Sequence, residues 1–125
     1  MSRQPSRRLL VVCLCAAWCD SCRDYRATFG ALAARFGEEV ELAWVDIEDD
    51  ADALGDLEVE NFPTLLVADR NGLCFLGPVT PQPKAAERLL KRALDGALPP
   101  MAAGDGLLGR VQSLLRSRDG AAEAP

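Results

Sequence analysis

The 125-residue chain contains no histidine, and its aromatic residues make up only 6% of the whole. The missing histidine weakens any zinc-site assignment for the cysteines, because structural zinc sites often pair the two. Basic residues are also in deficit: 14 Lys and Arg stand against 19 Asp and Glu, for a net charge of −5. That balance argues against a nucleic-acid partner. The longest apolar run, Leu9–Trp18, is about half of the ~20 residues that a membrane helix needs. No nucleotide-binding loop and no internal repeat are found. Nor is the cysteine count even: the five are Cys13, Cys15, Cys19, Cys22 and Cys74. An odd number fits a framework of structural disulfides poorly. A reactive pair with spare buried thiols fits a reducing compartment, so the expected location is cytoplasmic.

What is present suits one globular domain, with 49% hydrophobic residues and enough length for a single core. Arg7-Arg8 ahead of Leu9–Ala17 has the shape of a secretory signal. Cleavage there would fall at or near Trp18-Cys19 and remove an apolar strand, so the run is assigned to the fold and residues 1–8 to a flexible arm. Leu9–Ala16 is continuously apolar, as a strand buried on both faces is. Tyr25, Phe29, Leu32, Ala33 and Phe36 recur at helical spacing, which predicts a helix from Cys19 to about Arg35 with Gly37 as its cap. Val40–Ile47 is a second strand, and strand–helix–strand over so short a span predicts a parallel crossover.

Residues 38–60 carry eleven acids, Glu38, Glu39, Glu41, Asp46, Glu48, Asp49, Asp50, Asp52, Asp56, Glu58 and Glu60, and no base. This stretch is expected to hold a short helix over Glu48–Asp56 and a solvated acidic face; a docking surface for a basic partner is the other reading. Thr64–Asp69 is a third strand. Asn71-Gly72 marks a hairpin turn, with Leu73–Gly77 as the return strand. Pro81 and Pro83 lead into a helix with Ala86, Leu89, Leu90, Ala93 and Leu94 on one face, ended by Gly96 and Pro99-Pro100. The domain is thus expected over residues 9–97, with a linker at 98–106 and an amphipathic helix at 107–118. Leu107, Leu108, Val111, Leu114 and Leu115 form the stripe of that helix, and Arg110, Arg116 and Arg118 lie off it. Packing against the domain is expected for it; a dimer contact or partner-binding role is the alternative. Residues 119–125 are expected to be a disordered tail.

Cys19-Asp20-Ser21-Cys22 sits at the strand–helix junction. Its sulfurs lie about one helical turn apart, close enough to bond. The first faces the unpaired N–H groups of the helix start, which favour a thiolate. A thiolate there attacks a substrate disulfide, and the second cysteine attacks the mixed disulfide and releases the product.

Ala16-Ala17-Trp18-Cys19-Asp20-Ser21-Cys22-Arg23 resembles the thioredoxin active-site motif, tryptophan included. Val45-Asp46-Ile47-Glu48 is similar to that family's central strand end, and Asn61-Phe62-Pro63-Thr64 resembles the segment holding its cis-proline. Asn71-Gly72 and Gly77 match its hairpin and a later glycine. The resemblance spans Leu9 to Leu94. It implies an α/β thioredoxin-like fold: a central mixed β-sheet, made of a parallel βαβ unit and an antiparallel hairpin, flanked by helices, here with an extra C-terminal helix. It also implies Cys19 as nucleophile, Cys22 as resolving residue, a cis Pro63 beside them, a Phe62 backbone that pairs with extended substrate, and Trp18 covering the sulfurs. Plain core packing is the bland alternative for Trp18.

Three departures stand out. Asp20-Ser21 replaces the family's usual Gly-Pro: Ser21 offers a hydroxyl to a thiolate, whereas Asp20 opposes it by like charge while suiting the helix end. The family's buried aspartate, six residues before the first cysteine, is here Cys13, and its companion lysine aligns with Trp44. Resolution by Cys22 must then be slow or use water or Glu48. Cys13 is expected as a buried thiol, with competition for Cys22 as the alternative, and Cys15 and Cys74 as core thiols. Finally, no room precedes Leu9 for the usual first strand and helix, and the C-terminal helix is the candidate to cover the surface this leaves.

The function expected is thiol–disulfide oxidoreduction, as a protein-disulfide reductase acting on disulfide-containing proteins. A reductase or small thiol would recharge it, with no cofactor, metal, nucleic acid or membrane, and the protein as a monomer. A redox-poor binding or sensing module is the alternative. A metal site on Cys13, Cys15, Cys19 and Cys22 is the third reading, disfavoured because a buried strand and a helix start rarely present four sulfurs tetrahedrally.

Overall fold

The computed structural model describes residues 9–55, 57, 59–101 and 106–123, with side chains as far as 118. The predicted arm at 1–8 lies outside these residues, as do residues 102–105 of the linker. Four strands form one sheet in the order β2-β1-β3-β4: β1 Leu9–Cys15, β2 Val40–Asp46, β3 Thr64–Asp69 and β4 Gly72–Pro78. β1 runs parallel to β2, with Cys13 opposite Trp44 and Cys15 opposite Asp46. It runs antiparallel to β3, which pairs antiparallel with β4. β1 is therefore central, which is why its side chains are apolar on both faces.

The alternation of β1 creates two cores. Leu9, Val11, Cys13 and Cys15 face one side, where they meet Cys22, Tyr25, Phe29, Ala86 and Leu90. These come from α1 (Asp20–Gly30) and α4 (Pro83–Leu94). Val12 and Leu14 face the other side and meet Leu54, Leu66, Leu73, Leu107 and Val111. The last two belong to α5, Leu107–Glu123.

The predicted helix over 19–35 is two helices, α1 and α2 (Leu32–Phe36). At the break, Ala34 N–H bonds to the Ala31 carbonyl at 3.1 Å, a tighter three-residue return. Gly30, a poor helix former, precedes it. The acidic segment holds only one turn of helix, α3 (Ala51–Leu54). Asp46 takes the preceding residues for a side-chain-bonded turn instead: its carboxylate accepts the Glu48 and Asp49 N–H groups at 2.8 and 2.9 Å.

α5 packs back on the domain and continues to Glu123, beyond the predicted end at 118. Ala121, Ala122 and Glu123 are good helix formers that extend it past Gly120. Its arginines, expected off the stripe, tie it down. Arg110 donates to the Ala53 carbonyl at 3.1 Å and the Leu54 carbonyl at 3.4 Å, at the C-terminal end of α3. Arg118 donates to the Trp44 carbonyl at 2.8 Å and to Asp50 at 2.6 Å. Gly55 makes room for this: a Cβ there would come 2.6 Å from the Arg110 guanidinium, and its φ is +61°. Part of the acidic stretch is thus partnered by the chain's own last helix. No helix among the described residues is long and apolar enough to cross a membrane.

Candidate active site

The site forms where β1 ends and α1 begins. The turn is closed by the Cys19 N–H bonding to the Ala16 carbonyl at 3.1 Å. Cys19 is the N-cap of α1, in extended conformation, and its side chain makes no cap bond. Its thiol is free and partly exposed. Cys22, one turn into the helix, is 1% exposed. Asp20 and Arg23 form a surface ion pair. Such pairs contribute little to stability, but this one puts a cation beside the carboxylate that opposes thiolate formation.

Cys22 is disulfide-bonded to Cys15, with their Cα atoms 5.8 Å apart, inside the range a disulfide requires. This corrects the expectation that Cys15 is a free core thiol; Cys13 is the buried thiol expected of it, and the sulfur that takes Cys22 is Cys15, not Cys13. The cause is the β1 alternation: Cys15 ends the strand on the α1 face, level with the first turn of the helix. Cys13 is free and buried, and its thiol points to the Cys15 sulfur at 3.8 Å. Burial pushes the Cys13 thiol up to about 12, against the opposing pull of the Arg26 charge. Cys74 is a free buried thiol, also raised by burial and then by Asp69.

Arg26 supplies a cation whose place at the site the sequence did not reveal. Its guanidinium lies 4.7 Å from the centre of the Trp44 ring, so the residue aligned with the family's lysine holds a cation instead of being one. Arg26, Trp44, Asp46 and Asp49 line, together with Cys22, a depression of about 490 Å³. Its carboxylates are therefore Asp46 and Asp49. Glu48, one of the alternatives for taking the Cys22 proton, is engaged elsewhere, accepting from the Trp18 indole N–H at 3.0 Å.

Trp18 is 60% exposed, which excludes core packing. Its ring stands edge-on to Phe62 with centroids 5.8 Å apart. The Phe62–Pro63 peptide is cis, and Thr64, which follows, donates its hydroxyl to the Asn61 carbonyl at 2.6 Å. Trp18, Cys19 and the Phe62–Pro63 segment are thereby assembled at one end of the sheet.

Asp46 is the positioning residue that sequence reasoning passed over. Besides its own turn, it accepts the Ala17 N–H at 2.8 Å, bracing the loop that carries Trp18 and Cys19. The backbone N–H of Asp49, then those of Glu48 and Ala17, hold its carboxyl below the usual range despite partial desolvation. An Asp ending a strand before a run of turn-forming acids was the available signal. Among the described residues, no group of three or more Cys, Asp or Glu is placed to hold a metal ion.

Comparison with known proteins agrees with this geometry. The family model described as Thioredoxin matches residues 3–79, more than half of the 125-residue chain; the chain belongs to the thioredoxin family. Among solved structures, the Fasciola hepatica thioredoxin is similar at 27% identity and TM-score 0.60, covering 68% of this chain and 80% of that one. The thioredoxin of Trypanosoma brucei brucei is 20% identical, with TM-score 0.60 and coverage of 70% and 76%. The germline-specific thioredoxin Deadhead of Drosophila melanogaster is 16% identical, with TM-score 0.61 and coverage of 70% and 82%. These last two likenesses speak for the fold alone. Among curated proteins, none matches the chain.

Proposed function

We propose that the protein is a thiol–disulfide oxidoreductase that reduces protein disulfides through a Cys19–Cys22 dithiol/disulfide cycle. The observation that carries the proposal is the placement of Cys19: a free, partly exposed thiol at the N-cap of α1, with Cys22 one turn deeper. Cys19 attacks a substrate disulfide, one substrate sulfur leaves as thiolate, and a mixed disulfide forms. Cys22 then attacks Cys19, and the second substrate sulfur leaves. The Trp18–Phe62 pair offers an apolar wall for the substrate, and the Phe62 backbone an edge for an extended segment. A reductase or a small thiol returns the pair to dithiol, and the protein acts as a monomer in a reducing compartment.

A redox-sensing or binding module is the second reading, and the Cys15–Cys22 disulfide favours it, because Cys22 in that bond has no thiol to resolve a mixed disulfide. Trapping separates the two. A Cys22→Ser variant mixed with a disulfide-bonded protein is expected to accumulate a covalent adduct on Cys19 that dithiothreitol releases. If no adduct accumulates while a partner still binds, the module is the better account.

A further inference from the structure

Three sulfurs lie in sequence beneath the exposed one. Cys22 is bonded to Cys15, and Cys13 lies 3.8 Å beyond. We infer that Cys15 is a third redox-active cysteine, so that Cys22 exchanges between an outer disulfide with Cys19 and an inner disulfide with Cys15. This rests on the Cys19–Cys22 cycle proposed above and adds to it a second oxidised state.

The exchange consumes no oxidant. The Cys19 thiolate attacks the Cys22 sulfur, and the Cys19–Cys22 bond forms as the Cys15–Cys22 bond breaks. The electron pair leaves on Cys15, and the proton shed by Cys19 is made good at Cys15. Both forms are two electrons oxidised relative to the dithiol, so a substrate disulfide that oxidises the outer pair also supplies the inner one. What differs is exposure. With the outer bond closed, the disulfide stands at the surface, open to a reductant. With the inner bond closed, both of its sulfurs are buried, Cys15 fully and Cys22 at 1%, and Cys19 is left as a free thiol.

The surroundings suit a leaving sulfur at Cys15. Cys13 keeps its proton, since burial pushes its thiol up to about 12, and so it remains a donor toward Cys15. Among the described residues, the buried Tyr25 hydroxyl has no hydrogen-bond partner. Tyr25 belongs to the same buried cluster as Cys13, Cys15 and Cys22. A buried donor without an acceptor is costly, and a thiolate forming in this cluster supplies one. Arg26 lines the depression beside Cys22, where its cation acts against the effect of burial on Cys13.

The test uses the full chain with Cys19→Ser, a change at a partly exposed position. The protein is oxidised with diamide at neutral pH, denatured, alkylated and weighed. The inference expects the variant to lose two alkylatable thiols, and Cys13→Ser/Cys19→Ser to lose two as well. Cys15→Ser/Cys19→Ser should lose none. Oxidised wild-type protein, alkylated while folded, should take up label at Cys19. A Cys19→Ser variant that keeps all its thiols overturns the inference, as does one that loses two thiols without needing Cys15. Neither result touches the outer cycle, which is read separately from adduct formation by Cys22→Ser; absence of that adduct with a normal inner disulfide overturns the proposed reductase instead.

Discussion

Truncating Val111 to alanine measures whether α5 belongs to the fold. Val111 is 0% exposed and packs with Val12, Leu14 and Leu66, so the change removes two methyl groups from a closed core. At about 0.8 kcal/mol for each buried carbon, plus a cavity contribution, the expected loss is about 2 kcal/mol. For a domain of this size that corresponds to a Tm lower by roughly 6–10 °C. Gln112, one residue on, is exposed, and Gln112→Ala should stay within about 0.5 kcal/mol of wild type. Urea unfolding of the three proteins, followed by far-UV circular dichroism, reads the difference as a midpoint shift at constant slope. Equal midpoints for Val111→Ala and wild type would refute the packing reasoning: α5 would then be dispensable to the core and its apolar stripe free for a partner. The same packing bears on function, because Val12 and Leu14, which α5 covers, alternate along β1 with Cys13 and Cys15.

Asp46→Asn should cost about 1–2 kcal/mol at neutral pH, since one oxygen that accepts backbone N–H groups becomes a donor. The Asp46 carboxyl is held low in the fold, so its contribution is present above the ordinary carboxylate range and is lost as pH falls through the lowered value; acid titration of both proteins should show their stabilities converging as the pH passes below it. The raised Cys13 thiol has the opposite sign. Its folded value of about 12 lies above the ordinary thiol value of 9.0, so the unfolded chain sheds this proton first and stability falls as pH rises between the two. The slope is about 1.4 kcal/mol per pH unit, and Cys13→Ala should flatten that limb in alkaline unfolding curves. Trp18→Ala, at a site 60% exposed, should raise KM for protein disulfides several-fold in steady-state assays while changing stability by less than about 1 kcal/mol.

Regular elements were legible where one periodicity governs a whole segment. β1 is apolar throughout because it is central, and α4 carries a single clean stripe. Asn71-Gly72 predicted the hairpin, and Gly72 has a φ of +117°. Legibility failed where a side chain competes with the backbone: Asp46 turns the residues after β2 into a bonded loop and leaves α3 one turn long. It failed also where two elements had to be placed on each other. Strand alternation put Cys13 and Cys15 on one face, but which sulfur meets Cys22 depends on how far along β1 the helix starts. Arg26 and Arg118 were visible as charges. Their partners, the Trp44 ring in one case and Asp50 with the Trp44 carbonyl in the other, are set by tertiary packing between segments far apart in the chain.

Catalysis by Cys19 is the central claim, and turnover tests it most directly. The rate of reduction of a disulfide-bonded protein by dithiothreitol should be measured with and without catalytic amounts of the wild-type chain and of Cys19→Ser. The account predicts clear acceleration by wild type and a loss of at least ~100-fold in Cys19→Ser, the scale expected when a nucleophile is removed. A Cys19→Ser variant as active as wild type would contradict it.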